Sequence, residues 1–165
     1  MAAIIVLICS INNVSSQDFV SEDAAKKVGY NFISYNSEKS QPILNLVNVQ
    51  NGRDEQPNLY IFDVEGGGFV IISASKKVKP ILAYSFKNNF GDEIPQTTSY
   101  FIKNYNETIN HQKESDIAPE KEITDLWKAL ENNELKTRVT TIVNPLLSTR
   151  WNQDCYYNEY APYDN

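Results

Sequence analysis

Cys155 is the natural nucleophile by residue type, and His111 is the one imidazole that could activate it, because the 165-residue chain holds two cysteines and a single histidine. A thiolate nucleophile needs a neighbouring base and an electropositive setting that lowers its pKa. Cys155 instead follows Asp154 and lies near Glu159, and both carboxylates act in the opposite direction. His111 stands in the polar run His111-Gln112-Lys113-Glu114, the composition of a solvated helix surface. A Cys155–His111 dyad is therefore disfavoured. The same counts exclude multi-histidine zinc sites and cysteine knuckles, so no metal is expected. Asp92, Glu93, Asp116, Glu120 and Glu122 supply carboxylates for acid–base work, yet they fall at expected helix starts, where capping and the helix dipole already account for them. Gly66-Gly67-Gly68 precedes a strand-like run, not a helix, so it cannot aim helix N-terminal amides at a phosphate and reads as a hairpin turn. No residue set calls for a cofactor.

Charge and composition narrow the classes further. With 21 acidic and 15 basic residues the net charge is −6, which argues against nucleic acid as a partner. A 41% hydrophobic content with ten tyrosines is too rich in core-forming side chains for a disordered acidic tail. One compact domain is the expectation at this length. The run from Ala2 to Ile11 is apolar apart from Ser10, too short to span a membrane and of the right length for the hydrophobic region of a secretory signal. Cleavage after Ser16 is expected, which makes residues 1–16 a signal peptide and the protein secreted or held in the periplasm or cell envelope. The missing basic residue at the start departs from that pattern. A lipoprotein signal would need a small residue where Ile8 stands, and a buried N-terminal element is the other reading.

The elements that must position any site follow from periodicity. Ser21, with Glu22 and Asp23 behind it, caps a helix over residues 21–35 whose Ala25, Val28, Phe32 and Ile33 recur at helical spacing. Strand-like runs come next at Pro42 to Val49, Leu59 to Val64, Phe69 to Ser73 and Ile81 to Phe86. Asn51-Gly52, the glycine run and a Lys-Pro stretch bound them, which predicts an antiparallel meander. Thr97 and Thr98 can cap a second helix bearing Phe101, Ile102, Tyr105 and Ile109. Pro119 stands at an expected first turn ahead of Ile123, Leu126, Trp127 and Leu130. The fold class is α+β: a small antiparallel sheet of three to four strands with helices packed on one face, followed by an extended tail. Beyond Arg138 periodicity stops. Trp151, Tyr156, Tyr157, Tyr160 and Tyr163 crowd that tail, so it either docks on the domain or belongs to another one.

Asn58-Leu59-Tyr60-Ile61-Phe62, Gly67-Gly68-Phe69-Val70-Ile71-Ile72-Ser73 and Pro80-Ile81-Leu82-Ala83-Tyr84-Ser85, with Phe90 and the helix after it, resemble the pro-region, an inhibitor domain of the Spi type, of the streptopain family of papain-like cysteine peptidases. Stand-alone inhibitors of those enzymes share this pattern. Leu146-Leu147-Ser148-Thr149-Arg150-Trp151-Asn152-Gln153, continuing through Tyr157-Asn158, resembles the opening of the mature peptidase domain. The resemblance implies a pro-region over residues 17–138 and a processing linker with the start of a peptidase domain over 139–165. Gln153 matches the family glutamine near the oxyanion hole, while Cys155 falls at a variable position and is demoted. The family's catalytic cysteine and histidine lie further along than Asn165, so the chain as it stands is not expected to be an enzyme.

What the resemblance implies about mechanism is binding. A streptopain-like cysteine peptidase domain is the partner, with its cleft covered by the loop that leads into the helix after the sheet, here about Gly91 to Thr98. Gln96 and Thr97 are the plug candidates, with Phe90 and Tyr100 beside them; Phe86, Phe90 and Tyr100 are the apolar anchors that an interface of about 1,600 Å² would require. The strands and the helices bearing Phe101 and Trp127 are assigned to the supporting scaffold. Processing is expected between about Lys136 and Asn144, around Arg138, Val139 and Thr140, where an extended segment suits a protease cleft. Two alternatives stand beside this reading: a fragment of an active secreted cysteine endopeptidase, and a non-catalytic secreted binding module that shares the fold.

Overall fold

The computed structural model describes residues 18–91 and 96–135. The expected signal peptide and the segment from Lys136 onward, including Arg138, Val139, Thr140, Gln153 and Cys155, lie outside the described residues. The element order is α1 (Glu22–Asn36), β1 (Leu44–Asn51), β2 (Pro57–Val64), β3 (Phe69–Ser73), β4 (Ile81–Ser85), α2 (Gln96–Glu114) and α3 (Lys121–Glu131). The four strands form one antiparallel sheet in the order β1-β2-β3-β4, so the α+β class and the meander are as the sequence predicts.

Local chemistry accounts for the joints. Ser21 caps α1, its hydroxyl accepting from the Ala24 amide at 3.3 Å. The glycine run turns β2 into β3 with φ of +79°, +99° and +115° at Gly66, Gly67 and Gly68. A Cβ at Gly67 would sit 2.5 Å from the Lys87 carbonyl oxygen, and one at Gly68 2.7 Å from that of Ser85. The run therefore serves both conformation and close backbone approach, and only glycine satisfies both. β2 opens on Pro57, where a missing N–H is tolerated at a strand start. Ahead of α1, the Val20 amide donates to the Ala74 carbonyl at 2.9 Å and ties the entry segment to the end of β3.

Strand alternation sorts the side chains onto two faces. Tyr60, Phe62, Val64, Val70 and Ile72 point to the first face and pack with Val28 and Ile33 of α1 and Trp127 and Leu130 of α3. Leu59, Ile61 and Ile71 point to the second and pack with Ile102 and Ile109 of α2. This corrects the expectation of helices on one face: α1 and α3 share a face, and α2 covers the other. The physical reason lies in β2 and β3, which are buried on both sides and so need a cover on each.

Two smaller corrections concern helix starts. Thr97 and Thr98 lie inside the first turn of α2 instead of capping it, since the helix begins at Gln96. Pro119 precedes the cap of α3, which is Glu120, and the first helical residue is Lys121. The far end of α3 is held by α1, whose buried Asn31 donates to the Leu130 carbonyl at 2.6 Å, while Trp127 donates from Nε1 to the Val78 carbonyl at 2.9 Å.

Candidate functional site

The segment leading from β4 into α2 is pinned at its near end. The Ser85 hydroxyl accepts from the amides of Lys87 and Asn88 at 3.2 and 3.3 Å and turns the chain away from the sheet. Asp63 of β2 then accepts from the Phe90 amide at 2.7 Å, and the Phe90 ring meets Phe69 edge-on at 5.5 Å. Phe90 is thus half-buried on the second core, with Gly91 at φ +83° directly after it. Residues 92–95, including Asp92 and Glu93, lie outside the described residues. At the start of α2, both Gln96 and Thr97 are exposed on the first turn.

One turn further, Tyr100 is 63% exposed and Phe101 54%, with their rings 6.1 Å apart and inclined at 67°. Phe101, carried on a helix expected to belong to the scaffold, is a surface residue of that helix. The sheet-facing stripe of α2 is Ile102, Tyr105 and Ile109, and Phe101 stands about 100° around the helix from Ile102. Phe86, the remaining anchor candidate, is 38% exposed and belongs to a different patch, where it joins Tyr84 and Phe32 with centroids 4.9 and 6.5 Å from its own. Tyr84 pairs with Val70, which places that patch on the α1 side of the sheet. The sequence candidates are therefore distributed over two surfaces: Phe90, Gln96, Thr97 and Tyr100 on the α2 side, and Phe86 on the other.

Sequence reasoning missed a polar cluster where α2 crosses the β1–β2 turn. Asn58, fully buried in β2, donates from Nδ2 to Asn106 Oδ1 at 2.6 Å and to Asn110 Oδ1 at 2.7 Å. Its Oδ1 accepts from Lys113 Nζ at 3.0 Å, and the same ammonium pairs with Asp54 Oδ2 at 2.6 Å. Asn110 Oδ1 also accepts from the Arg53 amide at 3.1 Å, and Asn106 donates to the Asn51 carbonyl at 3.0 Å. Arg53 extends outward to Glu107 and Glu114 at 2.5 and 3.1 Å. The legible signal was Asn106, Asn110 and Lys113 at i, i+4 and i+7, a polar stripe on one helix face, opposite an asparagine at the head of the run Leu59 to Phe62.

His111 is exposed on α2, and the described residues include no cluster of histidine, cysteine and carboxylates able to hold a metal ion. No helix among them is long and apolar enough to cross a membrane. A surface groove of about 530 Å³ runs between residues 38–43 and Glu65-Gly66, but its ammonium, Lys39, is spent on the carbonyls of Glu65 and Gly67 at 2.8 and 2.6 Å. The arrangement suits recognition: a pinned segment and an exposed aromatic pair carried on one well-anchored helix.

Comparison with known proteins agrees with that character. The Spi protease inhibitor model matches residues 17–109, from ahead of α1 through the sheet and into α2. The chain belongs to the Spi protease inhibitor family. It is also 30% identical over 103 residues to streptopain from Streptococcus pyogenes and to streptopain from S. pyogenes serotype M1, a stretch that is 62% of this chain. The matched stretch spans about a quarter, 24%, of the length of those relatives.

Proposed function

We propose that this chain is a pro-domain or inhibitor that blocks the active-site cleft of a streptopain-like cysteine peptidase, in cis or in trans. The observation that carries the reading is the Spi protease inhibitor match over residues 17–109, which takes in the segment at 91–98 and the exposed Tyr100–Phe101 pair. In this reading Gln96 and Thr97 enter the cleft, and Tyr100 and Phe101 supply the apolar contact beside it. Phe90 holds the near end of the segment through Phe69 and Asp63. The chain itself contributes no catalytic step; its work is exclusion of substrate. Residues 1–16 act as a secretion signal, and cleavage near Arg138, Val139 and Thr140 separates the inhibitor from the peptidase-like segment that begins near Leu146. The partner is the peptidase domain, and no metal, cofactor or nucleic acid takes part.

The test is direct. Purified chain added to a streptopain-like peptidase should abolish hydrolysis of a fluorogenic peptide at micromolar concentration or below, competitively with substrate. Undiminished hydrolysis at that concentration sinks the reading. Tyr100→Ala and Phe101→Ala should each weaken inhibition about tenfold or more, as exposed aromatic anchors at a protein interface do.

A further inference from the structure

We infer that the Asn58-centred cluster is a positioning device: it sets the angle at which α2 crosses the sheet, and so aims Gln96, Thr97 and the Tyr100–Phe101 pair on the first turns of α2 at the peptidase. This rests on the inhibitory reading of the chain. Three observations carry it. The first is directionality. Asn106, Asn110 and Lys113 each make hydrogen bonds to Asn58 or to the β1–β2 turn, and every buried side-chain polar atom among the described residues has a partner. Such bonds fix one register, whereas apolar contacts tolerate sliding.

The second is the rigidity of the anchor. Asn58 lies in a central strand, and its own carbonyl accepts from the Ala74 amide at 2.7 Å. Gly52 leaves the turn against the cluster, since a Cβ there would fall 2.6 Å from Oδ1 of both Asn58 and Asn110. Beyond the C-terminal end of α2, Lys77 donates to the Ser115 carbonyl and ties that end to the β3–β4 connection.

The third is leverage. Ten residues separate Asn106 from Gln96, a helical rise of about 15 Å, so a tilt of about 15° at the cluster swings the first turn by about 4 Å. Forward of Asn106, among the described residues, the directional tie to the sheet is the Tyr105 hydroxyl donating to the Leu82 carbonyl at 3.1 Å, with Ile102 packed beside it. The cluster thus holds the helix at its far end with most of the angular restraint, while the surface that meets the partner sits at the near end.

Asn58→Ala removes the centre of the cluster, and Lys113→Met is the milder variant that keeps the aliphatic stem should the first fail to fold. Hydrogen exchange of the full chain is read in α2 and in β2–β3, and the inhibition constant is expressed per folded molecule. The expected result is at least a tenfold loss of protection in α2, sheet protection within twofold of wild type, and an inhibition constant raised tenfold or more. Trp127→Ala, on the opposite face, serves as control and should leave the inhibition constant per folded molecule within twofold. Unchanged α2 protection in both variants overturns the inference, as does loosened α2 with unchanged inhibition, or sheet protection lost together with α2. A wild-type chain that does not inhibit sinks the functional reading separately, and the exchange pattern still decides whether the cluster holds the helix.

Discussion

The two faces of the sheet are built on different principles. The face under α1 and α3 is predominantly apolar, centred on Phe62 and Trp127, and its polar side-chain contacts, Asn31 to Leu130, Trp127 to Val78 and Tyr60 to Val20, each join one side chain to a backbone carbonyl. The face under α2 has a smaller apolar patch around Ile61, Ile71 and Ile109, continued by the amide and ammonium cluster at Asn58. Apolar burial is the larger and less directional term, while buried hydrogen bonds add little net energy but penalise any arrangement that leaves them unmade. The first face accordingly holds the domain together, and the second determines how one helix lies on it.

Trp127→Ala on the first face should destabilise the domain most. The indole is 2% exposed and its Nε1–H is bonded to Val78, so truncation leaves a cavity and an orphaned carbonyl. A loss of about 3–5 kcal/mol is expected, measured as the change in urea unfolding free energy. Ile109→Ala, 1% exposed on the other face, should cost less, about 2–3 kcal/mol, because the side chain is smaller and so is the cluster it packs in. A larger loss at Ile109 than at Trp127 would reverse the assignment of the faces.

This contrast also separates what could be read from the sequence from what could not. β3 was legible in full as Phe69–Ser73, and α1 to within a residue, because alternation and a serine cap are local signals. The placement of α2 was not legible, since two-sided burial of β2 and β3 reads as a plain apolar run that does not say which helix covers which side. Phe101 reads with Ile102, Tyr105 and Ile109 as one apolar set on the second helix, and a few tens of degrees of helix rotation decide whether such a bordering residue is covered. Asn58 escaped for a different reason: a buried asparagine is recognisable only through partners some fifty residues away in the chain, at Asn106, Asn110 and Lys113.

Gly52→Ala acts on the second face alone, crowding the polar cluster without removing any of its groups. The new methyl would meet two amide oxygens at 2.6 Å, and neither can retreat without giving up Asn58 or Asn110 contacts. A cost of about 1–3 kcal/mol is expected from the unfolding midpoint, together with faster hydrogen exchange in α2 and none of comparable size in α1.

The smallest effect lies in acid. Partial burial pushes the Asp54 carboxyl upward, but the hydrogen bond from Lys113, its positive charge and the Gln56 amide together hold the pKa below the usual value of 3.8. A carboxyl depressed in the folded state contributes stability that is complete above the unfolded pKa and is lost as pH falls through the folded one. With Asp54 39% exposed, solvent screening keeps the contribution under about 1 kcal/mol. Asp54→Asn should therefore lower the urea midpoint near neutral pH, with the gap to wild type constant down to about pH 4 and closing below it. The same titration followed by hydrogen exchange should show α2 loosening in that acid window while α1 stays protected, because the carboxylate bears on the second face alone. A gap that stays open well below pH 4, or α1 and α2 loosening together, would mean that the ion pair contributes nothing specific to the cluster.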